Sequence, residues 1–342
     1  MALSKDGDSK EGLGAVSAAT VPVKPLIRIW NERFIVGTLN LVAGEPGTGK
    51  SSLTAEIAGD LSRKGLVGII SNAEDDASSV TIPRLLAADA ILERIHVIPL
   101  DDTPLFPDEF EGLEHVIREA GIHYVILDPI SAHFNPERLI YNRPFLRRLA
   151  SVARATNCMI LGVHHTTKSG LVAGPNSGLL GSCRAVYVYG FDPDDEDRRA
   201  LTCHKINGAE APATMIMEHE TVEVESGADG GFVEAGRLRL VRQSNTRASR
   251  TRARRNPERD AACAKWLTDF LVDCEDCKCA SNVIKEAARV EGYSQETLRR
   301  AKISLEVEHV REGWGGEGAW YWRLSDEHPA RKPESDPEAV SE

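Results

Sequence analysis

"LNLVAGEPGTGKSSLTAEIAGDLSRKG", residues 39–65, decides the fold. The apolar run "TLNLVAG" reads as a buried strand, and Leu53, Ile57 and Leu61 recur at four-residue spacing, as on one face of a helix. Gly65, after Arg63 and Lys64, closes that helix. Between strand and helix, Gly44, Gly49, Lys50 and Ser51 complete GxxxxGK[ST] in the context that a phosphate-binding loop requires. Gly44, Glu45, Pro46, Gly47, Thr48, Gly49, Lys50, Ser51 and Ser52 are therefore the expected nucleotide-binding residues. The glycines let backbone N–H groups approach phosphate oxygens, and the helix N-terminus adds positive potential. Lys50 is expected to reach the β/γ-phosphates and Ser51 to hold Mg²⁺.

Downstream, strand-like and helix-like stretches alternate: "LVGIISNAEDD", "SSVTIPRLLAADAI", "IHVIPL", "EFEGLEHVIREAG", "HYVILDPISA", "RPFLRRLASVARAT" and "CMILGVHHTTK". This alternation predicts an α/β fold with a mainly parallel sheet, helices on both faces and the ligand at the C-terminal strand ends. Asp128 ends the apolar "YVIL", where a carboxylate can bind Mg²⁺ beside the phosphate loop; the bland alternative is a strand-end turn residue before Pro129. Because proline follows, a second acid is missing there, and the water-activating base must come from elsewhere. Glu74, just past "GIIS", is the expected base, with Asp75 and Asp76 as close rivals and an N-cap role open to one of them. His164 and His165 end the next strand, and alternation allows only one of them to face the nucleotide as a γ-phosphate sensor.

The stretch 166–184 is glycine-rich and has no periodicity, which suits a functional loop. After Gly181, "AVYVYGF", "RALTCHKING", "ATMIMEHETVEVE" and "RLRLVR" read as consecutive strands that extend the sheet antiparallel. Lys205 lies in the second of these, where an edge-strand lysine discouraging aggregation is the simple reading.

Composition bounds the class. The chain has 342 residues, 42% apolar and 27% charged, with a formal charge of −11. No run approaches a membrane span and no signal peptide is evident, so a cytoplasmic protein without membrane partners is expected. The charge is uneven: residues 237–259 carry nine arginines against one acid, Glu258. Residues 1–24 and the acidic stretch 326–342 read as solvated chain.

Taken in this order, the motifs resemble the RecA-like P-loop ATPase family (AAA domain family), and within it the hexameric replicative helicases of plasmid RepA type and their phage relatives. The matching stretches are "GEPGTGKSS" at 44–52, "SNAEDD" at 71–76, "VILDPIS" at 125–131, "GVHHTTKS" at 162–169, "GSCRA" at 181–185 and "HKIN" at 204–207. The resemblance, which covers residues 26 to about 242, implies ATP and Mg²⁺ as cofactors and Glu74 as catalytic base. It also implies His165 with Lys168 as sensor and Lys205 as a finger reaching a neighbouring subunit's nucleotide. The family often has an arginine two positions beyond; this chain has Asn207, so stimulation in trans would rest on Lys205 or on Arg184.

Beyond the arginine-rich segment, 259–272, 281–291 and 295–305 read as helices and 307–324 as a hairpin about a glycine-rich turn, a winged-helix pattern. Arg299 and Arg300 then lie on the recognition helix; a subunit-contact module is the alternative. "DCEDCKC" lacks a second ligand pair for zinc and reads as a loop. The expected organisation is 1–24 disordered, 25–245 ATPase, 246–258 basic linker, 259–325 winged-helix-like and 326–342 acidic tail. The expected activity is that of a DNA-acting hexameric ring ATPase, a replicative helicase or helicase-like replication protein of phage or plasmid type, with single-stranded DNA and other replication proteins as partners. A recombination mediator, or a transcription regulator with an ATPase switch, is the alternative. DNA contacts are expected from Lys168, Arg250, Arg252, Arg254, Arg255, Arg299 and Arg300. ATP is expected rather than GTP, because the chain has no NKxD motif.

Overall fold

Residues 15–104, 109–133, 142–166, 178–195, 197–225, 231–245, 257–312 and 319–330 are described by a computed structural model. Lys168, Arg250, Arg252, Arg254 and Arg255 lie outside the described residues.

Two short strands, β1 (Arg28–Ile29) and β2 (Phe34–Ile35), pair antiparallel and stack Trp30 on Phe34. Strand β3 (Leu39–Gly44) follows, buried along its whole length, and runs through the loop into helix α1 (Lys50–Arg63). Then come β4 (Gly68–Asn72), a π-helical turn (Ala77–Thr81), α2 (Ile82–Ala87), β5 (Ile95–Ile98), α3 (Phe110–Glu119), β6 (Tyr124–Asp128), α4 (Asn142–Thr156) and β7 (Met159–His165). A short helix α5 (Leu179–Ser182) precedes β8 (Ala185–Phe191), β9 (Arg198–Ile206), β10 (Thr214–Glu225) and β11 (Phe232–Ser244).

Among the described residues these strands form one nine-stranded sheet in the order β11-β10-β9-β8-β3-β7-β6-β4-β5. Six strands, β8 to β5 in that order, pair parallel, and β9, β10 and β11 add antiparallel. The mixed sheet anticipated from the alternation is therefore present. Strand parity sorts the core into two faces. Val42, Ile126 and Leu161 pack with Leu53, Ile57 and Leu61 of α1, while Leu41, Val125 and Ile160 pack with Ile117 of α3 and Leu149 of α4. Each fully buried Leu or Ile of α1 contributes about 1.5–3 kcal/mol, which fixes the helix and so the loop at its N-terminus.

Two local differences from the sequence reading have physical reasons. The helix expected over 78–91 is a π-helical turn followed by six α-helical residues, because Asp76 caps the turn and Pro83 sits in the first turn of α2. Strand β11 begins at Phe232, five residues before the expected 237, because β10 pairs with it along its full length.

The remaining elements are α6 (Pro257–Val272), β12 (Lys278–Ala280), α7 (Ser281–Val290), α8 (Gln295–Ser304), β13 (Glu308–Glu312) and β14 (Ala319–Arg323). Their own core, including Leu267, Ile284, Leu298 and Trp322, is separate from the two sheet faces. The three strands form an antiparallel sheet in the order β12-β14-β13. Strand β12 falls within the stretch read as a loop. It was not legible there because it exists only by pairing with a distant strand, with Lys278 opposite Arg323 and Ala280 opposite Tyr321 of β14.

This C-terminal group docks on the antiparallel side of the large sheet. The buried Asp197 carboxylate accepts from Ser294 Oγ, from Thr297 Oγ1 at 2.9 Å and from Arg300 Nη1 at 3.3 Å. Arg259 Nη1 donates to Asp195 at 3.0 Å, and the Gln295 N–H donates to Glu218 at 3.2 Å. Burial alone would raise the Asp197 pKa, but the bonds from Ser294, Arg300 and Thr297 outweigh it and hold it below the usual value.

Candidate nucleotide site

Gly49 caps α1 with φ 88°, a left-handed conformation suited to glycine, and turns the chain so that the helix N-terminus faces the loop. A Cβ on Gly44 would stand 2.2 Å from the Tyr189 carbonyl oxygen, so β3 and β8 approach too closely for any side chain there. The loop is held from within by Thr48 Oγ1 donating to the Glu45 carbonyl at 2.9 Å, and by Lys50 Nζ donating to the same carbonyl at 2.8 Å. Lys50 is buried; burial lowers its pKa, against the nearby acids Asp128, Glu74 and Glu45.

Asp128, at the end of β6, is 4% exposed, and burial pushes its pKa up to about 6 against a hydrogen bond from Ser51 and the charge of Lys50. Thr54, one turn into α1 from Ser51, adds a longer contact to Asp128 Oδ2 at 3.4 Å. A carboxylate buried against two hydroxyls, one of them at long range, and one ammonium has spare acceptor capacity, which suits a hydrated divalent cation.

The three acids after β4 have different fates. Asp75 accepts from Arg84 Nη1 at 2.5 Å and from the Asn72 amide at 3.3 Å. Asp76 caps the π-helical turn, and hydrogen bonds from Ser78 and Ser79 pull its pKa down to about 2. Glu74 is the acid left facing the site, its side chain 57% exposed and its Oε1 3.7 Å from His165 Nε2. Parity places His165 on the α1 side of the sheet and His164 on the other, where burial lowers the His164 pKa.

The same edge collects polar atoms with no partner among the described residues: Ser71 Oγ, His164 Nδ1, His165 Nδ1, Thr166 Oγ1 and Tyr189 Oη. Thr166 lies beside the loop, its N–H donating to the Gly44 carbonyl at 3.2 Å. Buried polar atoms are ordinarily satisfied, so this concentration fits an edge built to receive a polar ligand.

Residues 14–170 match the family model described as "AAA domain". The chain carries a RecA-like P-loop ATPase domain. Sequence relatives of this ATPase domain include the DNA repair protein RadA of Mycobacterium tuberculosis, 26% identical over 166 residues, covering 45% of this chain and 32% of the relative. The RadA of Streptococcus pneumoniae is 25% identical over 154 residues, covering 43% and 34%. The chain thus spans about a third of the length of the curated relatives it matches. Among solved structures, a KaiC-like protein from Pyrococcus horikoshii OT3 aligns with TM-score 0.46 and 16% identity over 57% of this chain and 95% of that one.

Two sequence expectations need correction. Lys205 is not on the edge of the sheet: β9 lies between β8 and β10, and the lysine is unpaired only on the β10 side, where that ladder ends at Leu201. Its Nζ donates to the carbonyls of Leu180 at 2.7 Å and Cys183 at 3.0 Å, capping α5. Arg300 does not present its guanidinium to a nucleic acid, because it is occupied by Asp197 and by Asp260 at 2.9 Å. Arg299 lies half-exposed, held by Glu296 at 2.7 Å.

Sequence reasoning missed the residues that brace the loop from the antiparallel side. Arg199 Nε, on β9, donates to the Thr48 carbonyl at 3.1 Å, and His219 Nε2, on β10, lies 3.4 Å from Ser52 Oγ. Neither carries a motif; only the pairing register of β8, β9 and β10 brings them to the loop.

Proposed function

We propose that this chain is an ATP-dependent, Mg²⁺-requiring ATPase that acts on DNA as an assembled ring. The supporting observation is the convergence of Lys50 and Ser51, at the start of α1, with Glu74, Asp128 and His165, at the ends of β4, β6 and β7, around polar atoms that have no partner among the described residues. Lys50 neutralises charge on the terminal phosphates, and Ser51 with Asp128 holds the cation. Glu74 takes the proton of the attacking water, while His165 senses the terminal phosphate and adjusts Glu74 across 3.7 Å.

The DNA half rests on the arginine-rich segment 246–258 and on Lys168, three residues beyond His165 in the sequence, with the RadA relatives in support. Arg300 is left out of that surface because its guanidinium is engaged by Asp197 and Asp260, whereas Arg299, half-exposed beside Glu296, stays in it. The domain division is 25–245 for the ATPase and 259–325 for a winged-helix-like unit, whose helices and three-stranded antiparallel sheet support that reading. Among the described residues no helix is long and apolar enough to cross a membrane, and a DNA-acting ATPase of this kind belongs in the cytoplasm.

Helicase action of phage or plasmid type, in a hexamer working with other replication proteins, is the first reading. A recombination mediator is the second, favoured by relatives named for DNA repair. A tailed duplex separates them: ATP-driven strand release supports the helicase, and binding without release supports the mediator. No ATP turnover by the purified chain, with or without single-stranded DNA, overturns both.

A further inference from the structure

A cleft of about 660 Å³ lies between the β10–β11 ribbon and the C-terminal group. Its lining includes Arg199 and His219 from the sheet and Lys285, Arg299, Trp320 and Trp322 from the C-terminal group, with the acids Asp197, Glu223, Glu234 and Glu296 interspersed among them. Arg199 and His219 are the two residues that brace the phosphate loop: one holds the Thr48 carbonyl, and the other brings its Cδ2 to 3.7 Å from the position of a Cβ on Gly49. The cleft therefore begins where the loop ends.

Sheet order gives the cleft a direction. Glu74, Asp128 and His165 come from β4, β6 and β7, all on one side of β3. A nucleotide whose terminal phosphate faces those residues must send its nucleoside to the other side of β3, toward β8, β9 and β10, where the cleft opens. The volume is in the range of small-molecule sites. Indole and imidazole faces beside guanidinium and ammonium groups are the surfaces on which a purine or pyrimidine stacks. Lys302 Nζ sits 5.1 Å from the Trp322 ring centroid, and His309 stacks on the same indole at 5.9 Å, so this wall is ordered by its own contacts.

We propose that the nucleoside half of the loop-bound nucleotide occupies this cleft, so that the C-terminal group forms one wall of the nucleotide site and closes on it. This rests on the nucleotide reading given above. It makes the C-terminal group a nucleotide-dependent element: Asp197, Ser294 and Arg300 hold it against the sheet, and the base bridges the remaining gap.

The test compares two Mg²⁺-bound probes on the full chain, ATP and inorganic tripolyphosphate, which offers the phosphates without a nucleoside. Calorimetry should show ATP affinity falling about tenfold or more in Trp320→Ala, the order of loss expected when a base loses a stacking partner. Tripolyphosphate affinity should stay unchanged, which also reports that the variant is folded. In the unaltered chain, amide exchange in β14 and α8 should slow with ATP and not with tripolyphosphate. Equal effects on both probes in Trp320→Ala, or exchange in β14 and α8 that does not distinguish them, overturns the proposal. If the unaltered chain binds neither probe, or Lys50→Ala binds both as tightly as the unaltered chain does, the nucleotide reading itself fails instead.

Discussion

His165 Nε2 stands 3.7 Å from Glu74 Oε1, although β7 and β4 are not neighbours and β6 runs between them. The contact spans the end of the strand that carries Asp128, so the proposed base and the proposed sensor straddle the proposed cation ligand. Glu74→Gln should therefore retain nucleotide affinity while turnover falls by about 10² to 10⁴, the usual contribution of a positioned proton acceptor. Asp75→Asn is expected to act differently, loosening the Arg84 contact at 2.5 Å. Steady-state turnover and equilibrium binding of both variants check this, and slow turnover confined to Asp75→Asn would move the role.

Glu56 offers a stability test with a defined sign. On α1, burial pushes its carboxyl up to about 7 from 4.5, against the charges of Arg63 and Arg237. A carboxyl raised in the folded state contributes stability that is fully present below about 4.5 and is lost as pH rises through about 7. Glu56→Gln should thus be more stable than the unaltered chain above pH 7, by about 3 kcal/mol at most, with the difference shrinking toward pH 5. Denaturant titrations across that range measure it.

The Asp197 network predicts how the C-terminal group detaches. Asp197 is 3% and Arg300 18% exposed, and removing one partner of a buried pair costs about 3–5 kcal/mol. Asp197→Ala should release the C-terminal group to limited proteolysis at lower protease concentration, with the ATPase domain still folded. Unchanged cleavage would mean that Arg259–Asp195 and Gln295–Glu218 suffice.

Much of the fold was legible in the chain itself. The phosphate loop, the strand ending in Asp128 and the parallel sheet are local or periodic signals, since a buried strand and an amphipathic helix each show their pattern in one stretch. Glu74 among three consecutive acids could be ranked by position, but the engagement of Asp75 by Arg84 and of Asp76 by Ser78 and Ser79 appears only in three dimensions. Arg199 and His219 had no signal at all, because register between antiparallel strands is not written in either strand alone. Arg300 misled because an arginine beside Arg299 on an amphipathic helix looks solvent-facing until Asp197, 103 residues earlier, is seen to bind it.

Lys205 separates an internal role from one between subunits. As an internal cap it holds the carbonyls of Leu180 and Cys183, so Lys205→Ala should loosen α5 in any assembly state. As a finger reaching a neighbour, it makes hydrolysis depend on assembly, and mixing inactive Lys50→Ala with inactive Lys205→Ala chains should restore part of the activity. Turnover of the mixture at confirmed co-assembly distinguishes the two, and no recovery assigns Lys205 to the internal cap.

The most direct measurement is ATP turnover per chain as a function of protein concentration, with and without single-stranded DNA. A DNA-acting ring ATPase predicts turnover that rises with concentration as subunits assemble, rises further with DNA, and vanishes in Lys50→Ala. Turnover that is independent of both concentration and DNA would contradict the account.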